Sequence, residues 1–242
     1  MTDPGAGALR LASYNIQKCV GMDLRRQPRR ILQVLDQLRA QIVVLQEADK
    51  RLPPRPAALP HFVLEEGDWQ VADLGGAGSL GWHGNAVIWQ GDDILLRDMG
   101  HISLPGLEPR GAVWCLFVTP IGPLRVVGMH LGLVGSSRQQ QLTHLSREVP
   151  GTVQMPTVWA GDLNEWSTGP ALDQAVPAMR FLPPRASFPA PRPLGALDRI
   201  AMGPGLCARD HGVFDGRPAR IASDHLPVWA DIAVDNPKNH MA

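Results

Sequence analysis

Apolar positions along the chain fall into two rhythms, one of strands and one of helices. Leu9–Ala12 is a short apolar run that leads into Asn15. Further on, Ile31, Val34, Leu35 and Leu38 recur at i, i+3, i+4 and i+7, which marks one apolar face of a helix. Pro28 suits the first turn of that helix, where its missing N–H costs nothing. Ile42–Leu45 is short, continuous and β-branched, and so predicts a buried strand. Ala86–Trp89, Ala112–Val118, Leu124–Met129 and Thr157–Ala160 read as further strands, and Val228–Val234 closes the series. Ser136–Val149 predicts a helix with a Gln-rich exposed face. Gly91-Asp92 and the stretch Pro120–Pro123 have hairpin-like spacing and favour antiparallel pairing. Strands outnumber helices, which predicts a layered α/β domain built on mixed sheets. Two longer connections, Asp73–Gly84 and Pro183–Gly195, are candidates for functional loops, the second carrying Arg185 and Arg192.

Composition adds limits. Hydrophobic residues make up 44% of the 242 residues and charged residues 19%, enough for a sizeable core. The 23 basic residues balance 23 acidic ones and none forms a long basic run, so the footprint of a protein that grips a polyanion is missing. Cys19, Cys115 and Cys207 are odd in number and contain no CxxC pair, which points to reduced thiols in a cytoplasmic protein rather than to disulfides or structural zinc. No apolar run has the length of a signal peptide or a membrane span. The expected organisation is a flexible N-terminus over residues 1–8, one domain over 9–235 and a flexible tail over 236–242.

One familiar motif fails on context. Residues 76–81 fit GxGxxG, but a dinucleotide site needs a helix to open directly after it, and Trp82-His83-Gly84 and a strand-like run follow instead. The ends of the apolar runs are more informative. They lead to Asn15, to Gln46-Glu47, to His130 and to Gly161-Asp162-Leu163-Asn164, while Asp224-His225 stands just before the last strand. Ligand sites of α/β sheets lie beyond strand ends, where polar side chains leave the core but stay fixed by it. A single acid after a strand more often caps a turn; the joint pattern shifts the balance. In an extended chain Asp162 and Asn164 face the same way, a pairing that suits a base for water and a donor to a phosphate oxygen. Asp198 can hold an imidazole in one tautomer.

The blocks Ser13-Tyr14-Asn15-Ile16, Leu45-Gln46-Glu47, Gly84-Asn85-Ala86-Val87, Met129-His130-Leu131, Gly161-Asp162-Leu163-Asn164, Leu197-Asp198-Arg199-Ile200 and Ser223-Asp224-His225-Leu226-Pro227 together resemble the endonuclease/exonuclease/phosphatase superfamily, with a deoxyribonuclease-like fold. The opening Tyr14–Cys19 looks like a small bacterial branch of it. The resemblance implies a four-layer α/β/β/α sandwich with two stacked mixed β-sheets. It also implies that residues 9–235 are the catalytic domain. It implies that Glu47 binds Mg²⁺ or Mn²⁺ with Asn15 and Asp224 close by, and that Asp162 activates water. His130 and His225 are then expected on the scissile phosphate, with Asp198 behind His225, Asn164 near Asp162, and Asn85 and Arg110 as substrate contacts. The chemistry is coherent, because a hard cation held by oxygens neutralises a phosphoester and imidazolium donors stabilise the charge that builds up.

Two departures bear on substrate. Many relatives have His where Gln17 stands, and the tyrosine that several nucleases use near Asn85 has no counterpart, Tyr14 being the only one and turned away from Asn15 by strand alternation. Trp69, Trp82 and Trp166 lie near expected loops, where they either stack on substrate or pack the rim. The expected activity is metal-dependent hydrolysis of a phosphodiester. Nucleic acid is allowed as substrate but not indicated by charge. The alternatives are a phosphomonoesterase on a sugar or inositol phosphate and a conventional DNA endonuclease or exonuclease.

Overall fold

The computed structural model describes residues 1–50, 54–76, 78–149, 154–167 and 171–235. In chain order its elements are β1 (Leu9–Asn15), α1 (Pro28–Leu38), β2 (Ile42–Gln46), α2 (His61–Glu65), β3 (Gln70–Val71), β4 (Ala86–Trp89), β5 (Leu95–Leu104), β6 (Arg110–Thr119), β7 (Gly122–His130), α3 (Gly135–Glu148), β8 (Thr157–Asp162), α4 (Ala171–Ala175), β9 (Arg180–Phe181), β10 (Asp198–Met202), β11 (Leu206–Val213), α5 (Ala219–Ala222) and β12 (Val228–Val234). They form two six-stranded mixed sheets, ordered β11-β12-β1-β2-β4-β3 and β5-β6-β7-β8-β10-β9. In each sheet one central pair is parallel, β1 with β2 and β7 with β8.

Strand alternation explains the layering. On β1, Leu9 and Leu11 join the core between the sheets, while Ala12 and Tyr14 join the core under α1, α2 and α5. On β2, Ile42 and Val44 face inward, whereas Val43 and Leu45 face the helices. The second sheet repeats this: Val126, Val158 and Ile200 pack between the sheets, and Val127, Trp159 and Ala201 pack under Leu142 and Leu145 of α3 and Leu172 of α4. Each large side chain buried this way contributes about 1.5–3 kcal/mol relative to exposure. Three apolar layers thus hold four layers of structure, the sandwich expected from the sequence. Helix α1 starts with Pro28 in its first turn, buries Ile31, Leu32, Val34, Leu35 and Leu38, and ends where Arg39 adopts φ 53°.

One expectation needs correction. Gly91-Asp92 is not a hairpin, because β4 pairs in the first sheet and β5 in the second, so the turn carries the chain between sheets. The hairpin at Pro120–Pro123 does form, joining β6 to β7. Residues 1–8 carry no regular element; the Met1 ammonium donates to Gln37 O at 3.2 Å, Arg10 Nη1 to Thr2 O at 2.7 Å, and Arg39 Nη1 lies 3.1 Å from Asp3 Oδ1. The 236–242 segment lies outside the described residues. Arg10 is itself buried, bound through both ends of its fork to Asp231 at 2.7 and 2.8 Å and set 4.5 Å over the Trp229 ring. The three cysteines are free thiols.

Candidate active site between the two sheets

The faces that build the inter-sheet core also deliver the polar cluster at its end. Along β1 the inward positions run Leu9, Leu11, Ser13, Asn15; along β7 they run Leu124, Val126, Gly128, His130. Along β8 they run Val158, Ala160, Asp162, and along β10 from Met202 and Ile200 back to Asp198. Each strand turns from apolar to polar at the same edge. Register aligns the result: His130 lies opposite Asp162 across β7 and β8, and Asp162 opposite Asp198 across β8 and β10.

Asp162 is the hub. It is 2% exposed, and its Oδ2 accepts from Asn15 Nδ2 at 3.0 Å. The same oxygen lies 3.4 Å from His130 Nε2 and 3.7 Å from His225 Nε2. Its Oδ1 accepts from Asn164 N at 2.9 Å. His225 Nδ1 lies 2.8 Å from Asp198 Oδ2, which also accepts from Ser187 Oγ. Phe188 covers the imidazole at 4.8 Å between ring centroids. Burial alone lowers the His225 pKa, but the charges of Asp198, Asp162 and Asp224 and the Asp198 hydrogen bond outweigh it, so the ring is raised to about 10. His225 is therefore an imidazolium clamped between carboxylates near neutral pH.

Glu47 sits one residue beyond β2 at φ 53°, a left-handed backbone that non-glycine residues adopt at a cost of about 1–3 kcal/mol. Gly84 accepts from Ala48 N at 2.9 Å beside the Glu47 backbone and adopts φ 82°, a left-handed conformation that favours glycine. Directly after β1, Gln17, Lys18 and Cys19 are all left-handed, with φ from 44° to 61°. That turn carries the Lys18 ammonium onto the Glu47 carboxylate. Asp224 has its pKa raised, mostly by burial and further by the like charge of Glu47, against a lowering by His225.

Two placements differ from the sequence expectation. Beyond Asp162 the chain leaves the extended conformation: Asn164 takes φ 51° and gives its amide to Leu131 O at 3.0 Å, so it braces the β7 and β8 ends rather than lying parallel to Asp162. Asn85 is fully buried and donates to Gly111 O at 2.9 Å and Trp82 O at 3.3 Å, tying its turn to β6 with no N–H left for a phosphate. Arg110 is at the start of β6, beside Glu108 at 3.0 Å, on the wall of a cavity that also takes in Glu47 and His130. Trp69 is core. Trp82 stacks on His101 at 3.8 Å, and Trp166 is 60% exposed at the rim beside Phe188. Tyr14 is buried on the opposite face of β1, as alternation requires, and burial raises its pKa.

Several residues escaped the sequence reading. Asp49 is buried and accepts from Ser79 Oγ, Leu80 N and Gly81 N, so it organises the Gly-rich loop that failed as a nucleotide motif. The signal was its position two residues after Glu47. Ser187 supports Asp198, and Ser223 Oγ donates to Asn15 O at 2.7 Å, joining the last turn to the first strand. Neither had a signal beyond the neighbouring blocks.

Two groups of residues offer ligands for a cation. Asp162, Asp198 and His225 bring ligand atoms within 4.8 Å of one another. There an ion displaces the His225–Asp198 hydrogen bond and separates a charged ring from its counterion. Glu47 and Asp224 offer oxygen donors of the kind hard divalent cations take, in a partly buried place where their like charges already repel. Among the described residues, Lys18 is the partner with which an ion there would compete for Glu47. The second set fits a divalent cation better.

The Endonuclease/Exonuclease/phosphatase family model matches residues 12–225. No curated protein matches the chain by sequence. Among solved structures, an endonuclease/exonuclease/phosphatase family protein from Bacteroides thetaiotaomicron is similar at 18% identity and TM-score 0.76, covering 97% of this chain and 100% of that one. The mannosyl-6-phosphatase of Bacteroides thetaiotaomicron VPI-5482 is similar at 18% identity and TM-score 0.73, over 93% of this chain and 99% of that one. A humanized D. rerio TDP2 is similar at 16% identity and TM-score 0.75, over 95% and 100%. At these identities the likeness is one of fold.

Proposed function

The chain belongs to the endonuclease/exonuclease/phosphatase family, and from that premise we propose that it is a divalent-metal-dependent phosphoesterase that hydrolyses phosphodiester bonds by attack of water activated at Asp162. The observation that carries this reading is the setting of Asp162 Oδ2, shared by Asn15, His130 and His225 at 3.0, 3.4 and 3.7 Å.

Asn15 fixes the carboxylate from the β1 side and Asn164 N fixes its other oxygen, so Asp162 accepts a proton without having to reorient. His225, kept charged by Asp198, donates to an equatorial phosphate oxygen, and His130 approaches from the β7 side. Ser187 and Phe188 keep the Asp198–His225 pair in place. Glu47 and Asp224 would hold Mg²⁺ or Mn²⁺, with Asn15 close to them. When bound, the ion neutralises phosphate charge and polarises the P–O bond. Lys18 takes up the Glu47 charge otherwise. Arg110 approaches the same cavity as a further phosphate contact.

Substrate contact is confined to one or two phosphates. Positive and negative residues are equal in number over the chain, and Arg110, Arg138 and Arg220 are each paired with a carboxylate. Small phosphodiesters suit such a surface better than a long duplex, whose binding needs many phosphate contacts. Likeness to a mannosyl-6-phosphatase supports a monoesterase as the second reading. Hydrolysis of bis(p-nitrophenyl) phosphate against p-nitrophenyl phosphate, with Mg²⁺ and with chelator, separates them. The diester is expected to turn over faster, only with Mg²⁺, and hardly at all in Glu47→Gln. Full diester turnover by Glu47→Gln in excess chelator overturns the proposal.

A further inference from the structure

The cavity beside Glu47 has about 230 Å³ of space and opens onto the reacting groups through His130, which forms part of its wall and lies 3.4 Å from Asp162. Its charged lining divides into paired and unpaired groups. Glu47 is matched by Lys18 and Glu108 by Arg110. The Asp49 carboxylate is turned to Ser79 Oγ and the backbone N–H groups of Leu80 and Gly81. Lys50 and Arg55 have no carboxylate partner among the described residues, yet both line the cavity.

The backbone places both residues at one neck of the chain. Lys50 N donates to Pro56 O at 3.0 Å and Ala58 N to Ala48 O at 2.7 Å, with Asp49 bridged to Ala57, so the chain leaves β2 and returns across a narrow neck. Arg55 stands at that neck at φ 53°, a left-handed conformation rare outside glycine. Ala57 N donates to Gly78 O at 2.7 Å, which ties the neck to the loop that Asp49 organises. The backbone at both residues is thus fixed by hydrogen bonds, and Arg55 keeps its left-handed conformation at a cost in backbone strain. Arg55 also acts on the cavity wall: burial lowers the pKa of His83, and the Arg55 charge lowers it further. Two cations without counterions, held beside a phosphoester-cleaving centre, match one chemistry above others, a dianion.

Resting on the phosphoesterase reading, we propose that this cavity is a subsite for a second phosphate group of the substrate, held by Lys50 and Arg55 while the scissile phosphate lies at Asp162 and His225. The substrate class is then a small phosphoester that carries a further phosphate, rather than a diester with no other charged group.

Calorimetry at saturating Mg²⁺ tests this with α,ω-alkane bisphosphonates of increasing length and alkyl monophosphonates of matching length. At one spacer length the bisphosphonate should bind about 10- to 100-fold more tightly than its monophosphonate, the usual effect of hydrogen bonds to charged groups. In the Lys50→Gln/Arg55→Gln double variant that ratio should fall toward unity, and Arg55→Lys, which keeps the charge, should retain part of it. No advantage at any length, or an advantage intact in the double variant, overturns the subsite. Turnover of bis(p-nitrophenyl) phosphate by the unaltered protein, a substrate with no second phosphate, reports separately on the phosphoesterase reading.

Discussion

Asp198→Asn removes a charge from behind His225 while keeping its shape. In the intact protein Asp198 Oδ2 lies 2.8 Å from His225 Nδ1, and the ring is raised from 6.5 to about 10 although burial opposes its charge. Holding an imidazolium over that range corresponds to on the order of 5 kcal/mol. Asp198 contributes the first of the carboxylate effects and the hydrogen bond, so the variant should lose a large share and bring the ring back toward neutral pH. The sign follows from linkage. A raised folded-state pKa contributes stability that is fully present below the unfolded value near 6.5 and is lost as pH rises through about 10. Wild-type stability toward denaturant should therefore fall by a few kcal/mol between those limits, and the fall in Asp198→Asn should be smaller and come at lower pH. Histidine NMR titration of metal-free protein, alongside urea unfolding across the same pH series, measures both. A wild-type ring that titrates near 6.5, or a variant ring unmoved from the wild-type value, refutes the reasoning.

Asp162→Asn should lower kcat on the diester by about 10²–10⁴-fold, the usual size for a positioned general base, with a much smaller change in KM; near-normal kcat with weakened binding makes Asp162 a binding residue instead. Asp231→Ala leaves Arg10 charged, buried and without its forked partner, and should cost about 3–5 kcal/mol in urea unfolding. A loss under 1 kcal/mol would show that Trp229 and Thr2 O hold the guanidinium without Asp231.

The core of both sheets was legible because each central strand carries its layer assignment in its own sequence. Ile42–Leu45 is apolar at every position since both its faces are buried, and the helical spacing of Ile31, Val34, Leu35 and Leu38 points one way because only one face of α1 meets a sheet. The edge strands β3, β5, β9 and β11 carried no such mark. In β5, Leu95–Leu104 mixes Arg97, Asp98 and His101 with isolated apolar residues, since it pairs on one side and meets solvent along much of its length. The Gly91-Asp92 turn misled because turn chemistry reports a reversal of direction, not which sheet receives the next strand. Nor did the sequence show the contacts of residues 1–8, since their partners Gln37, Arg39 and Arg209 are donors and acceptors that any surface offers.

Within the site the same physics divides what was readable from what was not. Asn15, His130, Asp162 and Asp198 are inward positions of strands, so alternation alone carries each of them from a readable apolar run to the shared edge, and register then sets them side by side. Alternation fails one step past a strand end. Glu47 and Asn164 are both left-handed, and only Glu47 directs its side chain into the cavity, while Asn164 turns back to Leu131 O. Lys18, Lys50 and Arg55 lie wholly in such irregular backbone, where side-chain direction depends on bonds to distant loops: Lys18 on Glu47 O, Arg55 on the neck closed by Ala48 and Ala58. The strand-end part of the centre is therefore legible in sequence as chemistry, whereas Glu47, Asp224, His225 and the proposed phosphate-binding Lys50 and Arg55 stand outside strands, where no alternation sets the direction of a side chain. On the proposed subsite, substitutions at Lys50 and Arg55 should change substrate choice with little disturbance to the strand register that assembles Asp162 and His130.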